Sequence, residues 1–279
     1  MLNEEFKEIC MQTQLQECTE FLDATADTYH NELSHYMSQA GIRMETAQRS
    51  DMFMLARASD YDDCFPSEKL LPVLRQTLDD FGIPLDNQHN ILVDIDHRSG
   101  KAARPFCIAV DTPGDIRLVF QARGGREDYV NLFHEMGHAQ HFAYIDANLP
   151  LEFKTLGDYA VTEGFAFLFQ SLISNLNWLE RHLKIPAGLL YENIRLAEFL
   201  KLYLMRRYAC KFIYEYKLFV NGASAASAKD YADIFSRQLG MRYFHLFYAT
   251  LGWIHRELPV SGPRNESRPA SLKRLFFPG

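Results

Sequence analysis

Apolar residues recur at helical spacing along most of this chain, and the pattern predicts a mainly α-helical fold. Between residues 4 and 40 they return every three or four positions, as on one face of a long helix that ends near Gly41. The same spacing, together with capping residues and helix-ending glycines and prolines, predicts further helices over 45–58, 67–81, 157–175, 188–220 and 228–239.

Strand-like runs occur only between residues 90 and 122. Residues 91–95 and 106–110 are rich in branched apolar side chains, and a turn at 111–115 leads into a third run over 116–121. These runs predict a small antiparallel sheet just before the next helix. The candidate edge strand is 117–121, to which an extended peptide could add through main-chain hydrogen bonds. A plain hairpin inside the core explains the same pattern equally well.

The helix after the sheet carries the most informative motif, His134-Glu135-Met136-Gly137-His138. Two histidines four residues apart lie on the same side of a helix, where their imidazoles can close on one metal ion. The glutamate between them can reach a water molecule on that metal, which is the HExxH pattern of zinc peptidases. The competing interpretation is a chance occurrence of this motif in a helix whose two histidines are surface or capping residues.

A third metal ligand is predicted at Glu163, the only carboxylate in the apolar run from Tyr159 to Phe169. A carboxylate inside such a helix is costly to bury unless it is paired or bound to a metal. Apolar residues cover nearly every face of this predicted helix, so the pattern shows no polar face on which Glu163 would be exposed to solvent. A glutamate on the solvent face is the competing interpretation.

These residues carry a family resemblance. The block from Leu132 to His141 resembles the LFHE(F/L/M)GHxxH signature of the thimet oligopeptidase and oligoendopeptidase F family of zinc peptidases, whose third ligand is a glutamate 25 residues after the second zinc histidine. Glu163 follows His138 by that spacing. The stretch 98–107 is similar to the family's R-x-G-K segment and the strand after it. The resemblance is clearest over residues 90–175 and implies a zincin-like (gluzincin) catalytic domain.

The motif and the resemblance together assign roles to four residues. His134, His138 and Glu163 are expected to hold one zinc ion per chain, with water at the fourth position. Glu135 is expected to act as the general base, taking a proton from the zinc-activated water and passing it to the leaving amine. His141 is left out, because the family's motif has a histidine there that does not bind the metal.

Two further groups are expected around the metal. Asp158 and Gln170 are candidates to accept the second N–H of the ligand histidines, although the family usually has a glutamate at the position of Gln170. The family's oxyanion-stabilising tyrosine and histidine come from a segment that has no tyrosine here. Tyr243, His245 and Tyr248 lie earlier and could substitute, against the competing interpretation that they belong to the aromatic core of a terminal helix.

Composition narrows the partners and the compartment. A formal net charge of −7 without a block of lysine and arginine argues against nucleic acid and anionic membranes as partners. Five cysteines without a close pair predict reduced thiols in the cytoplasm. The acidic N-terminus has no apolar region of the kind found in signal peptides, and no charge-free stretch is long enough to span a membrane.

The chain is expected to form one zincin-like catalytic domain over residues 1–255, with a loop or disordered tail at 256–279. Its parts are a helical region over 1–85, the sheet at 90–122, active-site helices at 127–175 and a helical region at 188–240.

Members of the resembled family are more than twice as long, so the resemblance implies a cleft with less cover, whose exposed apolar surface could support an oligomer. The expected function is a zinc-dependent oligopeptidase that acts on short peptides, with endopeptidase and carboxypeptidase action both open. The alternative is a metal-binding but catalytically inactive homologue that binds peptides or a partner protein.

Overall fold

The computed structural model describes residues 10–102, 104–221 and 228–243. Helices make up most of this part, and three short strands form one sheet. The elements in chain order are α1 (Met11–Ala24), α2 (Ala26–Gln39), α3 (Arg49–Arg57), α4 (Leu70–Asp80), β1 (Ile91–Asp94), β2 (Phe106–Asp111), β3 (Asp115–Val119), α5 (Arg126–Ala143), α6 (Leu151–Thr155), α7 (Tyr159–Ser171), α8 (Leu176–His182), α9 (Ala187–Asn221) and α10 (Ala228–Leu239).

The long N-terminal helix predicted over residues 4–40 is two helices, α1 and α2. At Thr25 the backbone leaves helical geometry, with φ −102° and ψ 2°, and the Thr25 hydroxyl donates to the carbonyl of Phe21. Such a side-chain bond to the preceding turn often bends a helix, and here it accompanies the break inside an otherwise continuous apolar pattern. Gly41 follows the end of α2 with φ +70°, as predicted from its freedom to adopt a left-handed conformation.

The sheet is mixed, which corrects the prediction of an antiparallel sheet. Its strand order is β1-β3-β2, with β1 parallel to β3 and β2 antiparallel to it. The tight turn at 111–115 joins β2 and β3 as a hairpin, and the longer connection from β1 lets that strand pair along the other side of β3. The predicted edge strand, 117–121, was therefore wrong. Its residues belong largely to the central strand, and within the described residues the free edges of the sheet are those of β1 and β2.

Two clusters of buried side chains hold the elements together. The first cluster joins the sheet to α4, α5, α7 and α8, and it includes Leu118, Phe133 and Trp178. The second cluster joins α1, α2, α3, α9 and α10 around Tyr29 and Phe235. Because α9 is 35 residues long, it contributes side chains to both clusters. The first cluster fixes the position of α5 between the sheet and α7.

Close approach of α5 and α7 depends on Gly137. A Cβ atom at this position would lie closer than 3.0 Å to three backbone atoms of Phe165 and Ala166. Gly137 has no left-handed backbone angle, so its role is to leave room for the neighbouring helix. The close approach of the two helices at Gly137 brings α7 near the histidines of α5.

Within the described ranges, none of the helices has both the length and the apolar content needed to cross a bilayer. The tail predicted at 256–279 lies outside the described residues.

Candidate metal centre

Three predicted ligands come together from two helices. His134 and His138 lie one turn apart on α5, and Glu163 reaches them from α7. The His134 Nε2 atom is 3.6 Å from Glu163 Oε2, and His138 Nε2 is 3.9 Å from Glu163 Oε1. All three ligand atoms lie within 4.8 Å of one another. Tetrahedral ligands at about 2.0–2.1 Å from a metal are separated by about 3.3 Å, so these three residues could hold a metal ion. His134, His138 and Glu163 are called the metal group below.

The other ring nitrogens of both histidines are already engaged. His134 Nδ1 lies 2.8 Å from Gln170 Oε1, and His138 Nδ1 lies 2.8 Å from Thr162 Oγ1. An amide oxygen can only accept, so the contact with Gln170 Oε1 requires a proton on His134 Nδ1, and the Thr162 hydroxyl can accept from a proton on His138 Nδ1. That tautomer leaves the lone pair on Nε2, the nitrogen that faces Glu163. Histidine ligands of metals show this arrangement.

Gln170 was predicted in this orienting role, and its contact with His134 is confirmed. Asp158 begins α7 instead, where its carboxylate accepts from the N–H of Ala160. Thr162 was missed because a lone threonine in an apolar run gives no distinctive signal. The spacing between Thr162 and Gln170 does indicate a shared side of α7, because residues eight apart lie about two turns from each other on one face of a helix.

Glu163 is placed as predicted, but the argument from burial was wrong. Its side chain is 47% exposed and faces the cleft described below. The apolar residues of α7 are themselves largely exposed, and Tyr159 and Leu168 are examples. The run from Tyr159 to Phe169 is therefore not a buried helix. The spacing from His138 located Glu163, whereas the apolar pattern did not.

Glu135 lies between the metal group and the free edge of β2. Burial raises the pKa of its carboxyl group above the usual value, while His134 and the N–H of Cys107 lower it and Glu163 raises it further. The Cys107 N–H points away from β3, because it donates to Glu135. A partly desolvated carboxylate with a raised pKa is a better proton acceptor than an exposed one.

Burial also acts on the histidines. It lowers the pKa of His138, and the neighbouring His134 lowers it further, so the neutral form that can bind a metal is favoured. His141 is outside the metal group. Its ring stacks on Phe165 with centroids 4.9 Å apart, and burial lowers its pKa. This placement agrees with its omission from the predicted ligands.

A cleft of about 750 Å³ opens in front of His134, Glu135 and Glu163. Besides those residues, its lining includes Arg104 before β2, Arg123 before α5 and Tyr208 on α9. None of these three was singled out from the sequence. Tyr208 belongs to the aromatic-rich pattern of α9, which does not distinguish a cleft residue from a core residue.

Tyr243 lies in the second cluster of buried side chains rather than in the cleft. It is 6% exposed, its hydroxyl is 3.1 Å from that of Tyr203, and its N–H donates to Ser236 Oγ. The interpretation as core is confirmed for this residue. His245 and Tyr248 lie outside the described residues.

The segment similar to R-x-G-K stabilises the connection between β1 and β2. Arg98 forms paired hydrogen bonds with the Asp94 carboxylate. Lys101 Nζ donates to the Asp94 carboxylate and to the carbonyls of Asp94 and Asp96, each at 2.9 Å. The side chain of Lys101 is almost fully buried. These contacts fix the path of the chain at the end of β1, and neither basic residue lines the cleft.

No protein-family model matches this chain, and no match is found among curated proteins.

Proposed function

We propose that this protein is a zinc-dependent peptidase that hydrolyses short peptides, similar to the thimet oligopeptidase and oligoendopeptidase F family. The observation that carries the proposal is the group of His134, His138 and Glu163, with both histidines oriented through Nδ1 and with Glu135 beside them. Two imidazole nitrogens and one carboxylate are a donor set typical of catalytic zinc. All five cysteines are free thiols, consistent with action in the cytoplasm.

A zinc ion on these three side chains would act as a Lewis acid toward the peptide carbonyl and would lower the pKa of a water molecule. Glu135 would take the proton from that water and deliver it to the nitrogen of the departing amine, so that one carboxylate serves as base and then as acid. The N–H of Cys107 holds the Glu135 carboxylate in place between these two transfers.

The free edge of β2 is the proposed binding surface for the peptide backbone. Cys107 directs its N–H from this edge to Glu135, so an extended peptide paired with β2 would pass next to the metal group. Main-chain hydrogen bonds to a sheet edge hold a peptide whatever its side chains are. This assignment replaces the edge at 117–121.

Tyr208 is a candidate to stabilise the negative charge that develops on the carbonyl oxygen. Its ring lines the same cleft as Glu135 and Glu163, and it is partly exposed. A phenol hydroxyl can donate to an oxyanion, a contribution that is typically large in peptide hydrolysis.

The alternative function is a metal-binding protein that holds peptides without cleaving them. It is favoured by the position of Tyr243 in the core, because this removes one of the predicted oxyanion donors from the cleft. The two functions share the metal and the β2 edge and differ only in turnover.

Elemental analysis of the purified full chain, together with a quenched fluorescent peptide assay, tests the proposal. We expect about one zinc ion per chain and cleavage that stops when a chelator is added and returns with zinc. Zinc without cleavage supports the peptide-binding alternative. A protein that binds no metal after incubation with zinc contradicts both.

A further inference from the structure

We propose that two copies of this chain associate through an exposed apolar surface on α6 and α7 and form a symmetric dimer. This surface, called the α6–α7 face below, consists of six side chains that are each more than half exposed, namely Leu151, Phe153, Leu156, Tyr159, Val161 and Leu168. None of the six lines the cleft. The inference therefore concerns a second site and does not depend on the proposed peptidase function.

Helix α7 is apolar around most of its circumference, but only one side of it is covered. Thr162, Ala166 and Phe169 are buried, on the side of the helix that packs against α5. Val161 and Leu168 are seven residues apart, so they share another side of the helix, and within the described ranges both are exposed. A soluble helix that is apolar on all sides is normally buried. The uncovered side of α7 therefore indicates a surface that another molecule covers.

The size of the α6–α7 face is that of a protein–protein interface. Five of its six residues fall between Leu151 and Val161, and Leu156 and Tyr159 are 79% and 81% exposed. Exposed leucine and aromatic side chains each offer about 100–200 Å² of apolar surface, so the six offer on the order of 800 Å². The largest apolar patch of a typical monomer covers about 300–600 Å². Each partner of a standard interface buries about 800 Å², so the face has the area that a stable dimer needs.

Few charges accompany the α6–α7 face. Glu152 and Lys154, on α6, are opposite in sign. Asp158 accepts from the backbone at the start of α7, and Glu163 belongs to the metal group. The six side chains of the face are themselves uncharged, so the surface favours neither a basic nor an acidic partner.

A second copy of the chain has the chemistry that this face requires. It offers an apolar surface of the same area and the same low charge, and a twofold axis lets one patch contact its own copy. With a formal net charge of −7, two copies repel each other, so they associate only where apolar contact outweighs the repulsion. The α6–α7 face meets this condition.

The dimer would also support the candidate metal centre. The helix that carries the face provides Thr162, Glu163 and Gln170, and α5 holds it from one side only. A second copy on the outer side would bury α7 further, and burial lowers the frequency of local opening. We therefore expect amide hydrogen exchange in α7 to slow as the protein concentration rises through the dissociation constant of the dimer.

Sedimentation velocity of the purified full chain over a range of concentrations tests the proposal. We expect a species of twice the 32.3 kDa of one chain. An interface of this size gives a dissociation constant in the micromolar range or below. Added salt should not weaken the dimer, because screening reduces the repulsion between the copies and leaves apolar contacts intact.

Two substitutions on the face, Leu156→Glu and Tyr159→Glu, should each raise the dissociation constant by at least about tenfold, because a carboxylate would have to be buried in the interface. Both side chains are exposed in a single copy, so the fold should be unchanged, and circular dichroism with urea titrations checks this. Phe219→Glu is the matched control. This residue is 78% exposed near the end of α9, outside the face, and its substitution should leave the dimer intact.

The remaining outcomes overturn the inference. A protein that stays monomeric at about 100 µM contradicts it, since this is well above the expected dissociation constant. Strong protection of the α6–α7 amides in that monomer would show that another part of the same chain covers the face. A dimer that survives both face variants, or that dissociates in high salt, has its contact elsewhere. The peptidase function is tested separately, because these measurements need neither zinc nor turnover.

Discussion

At the scale of single residues, both histidines of the candidate centre have a hydrogen-bond partner at Nδ1. Thr162 and Gln170 each hold one imidazole, and both side chains come from the helix that also provides Glu163. Helix α7 thus supplies one candidate ligand and also orients the two histidines of α5. This arrangement makes the orienting residues testable separately from the ligands.

Thr162→Val removes the oxygen that faces His138 Nδ1 and keeps the shape of the side chain. We expect zinc affinity to fall by about 10–100-fold, because such partners fix the orientation and basicity of a histidine ligand. Competition with a chromophoric chelator measures the change. Thr155→Val on α6 is the control, since Thr155 bonds only its own helix backbone. Unchanged affinity in Thr162→Val would show that the hydrogen bond does not orient His138.

Glu135→Gln separates metal binding from turnover. The glutamine amide cannot accept a proton from water. It is similar in size to the glutamate side chain, and the three metal ligands His134, His138 and Glu163 are left unchanged. We expect zinc content near that of the parent protein and a loss of hydrolysis of at least about 100-fold. Cleavage at the parental rate, with zinc still present, would rule out Glu135 as the base.

At the scale of elements, the contact between α5 and α7 determines whether the three ligands meet. Gly137→Ala would place a Cβ against the backbone of Phe165 and Ala166, which cannot move aside as a flexible side chain could. We expect the free energy of unfolding to fall by about 1–3 kcal/mol in urea titrations, and zinc affinity to fall with it.

Gly164→Ala is the matched control for this contact. It lies on α7, next to Glu163, and a Cβ there meets nothing within 4 Å. Because alanine is the better helix former, we expect stability to be unchanged or to rise by up to about 1 kcal/mol. If both variants lose stability equally, close packing is not the reason for Gly137.

The start of α5 is anchored by Asp62. Its carboxylate accepts two hydrogen bonds from Arg57, at 2.7 and 2.6 Å, and one from the Arg126 N–H at 3.1 Å. The hydrogen bonds from Arg57 lower the pKa of Asp62. Asp62→Asn should therefore lower the free energy of unfolding by about 1–2 kcal/mol at neutral pH, a modest value because the pair is partly exposed.

The pH dependence of that difference follows from the lowered pKa. The contribution of Asp62 is complete above its unfolded pKa of about 3.9 and is lost as the pH falls through the lower pKa of the folded state. Urea titrations of the parent and the variant should therefore converge in stability below about pH 4. Asp60→Asn, at an exposed neighbour, is the control and should leave the free energy of unfolding at neutral pH close to that of the parent.

The sequence predicted elements better than their arrangement. Local spacing identified α5, α9 and α10 and the three strands, because helical and strand periodicity are local properties. It did not show that β3 is central, since strand order depends on how the connection over 95–105 crosses the sheet. For the site, spacing located Glu163 correctly, whereas the apolar pattern misled, because α7 exposes Tyr159 and Leu168 rather than burying them.

At the scale of the whole molecule, the metal group lies entirely in the part built around the first cluster of buried side chains. If α5 and α7 bind zinc as proposed, the metal would stabilise the folded state by mass action, by about 4 kcal/mol when zinc is a thousandfold above its dissociation constant. The second cluster, around α1, α2 and α10, contains none of the three ligands.

Hydrogen exchange with and without a chelator should show whether the metal stabilises the first cluster of buried side chains more than the second. We expect amide protection in α5 and α7 to fall when zinc is removed, and protection in α1, α2 and α10 to change much less. A uniform loss of protection in both clusters would show that the metal stabilises the fold as a single cooperative unit.

The length of α9 has a consequence for the cleft. Asn193 on this helix accepts a 2.5 Å hydrogen bond from Arg126 at the start of α5, and Tyr208, fifteen residues later, lines the cleft. The two positions are about 22 Å apart along the axis. One residue inserted between them would rotate Tyr208 by about 100° relative to Asn193 and turn its ring away from the cleft. The rotation of α9 between Asn193 and Tyr208 must therefore be kept. We expect a one-residue insertion between them to disturb the cleft even where the inserted side chain is exposed.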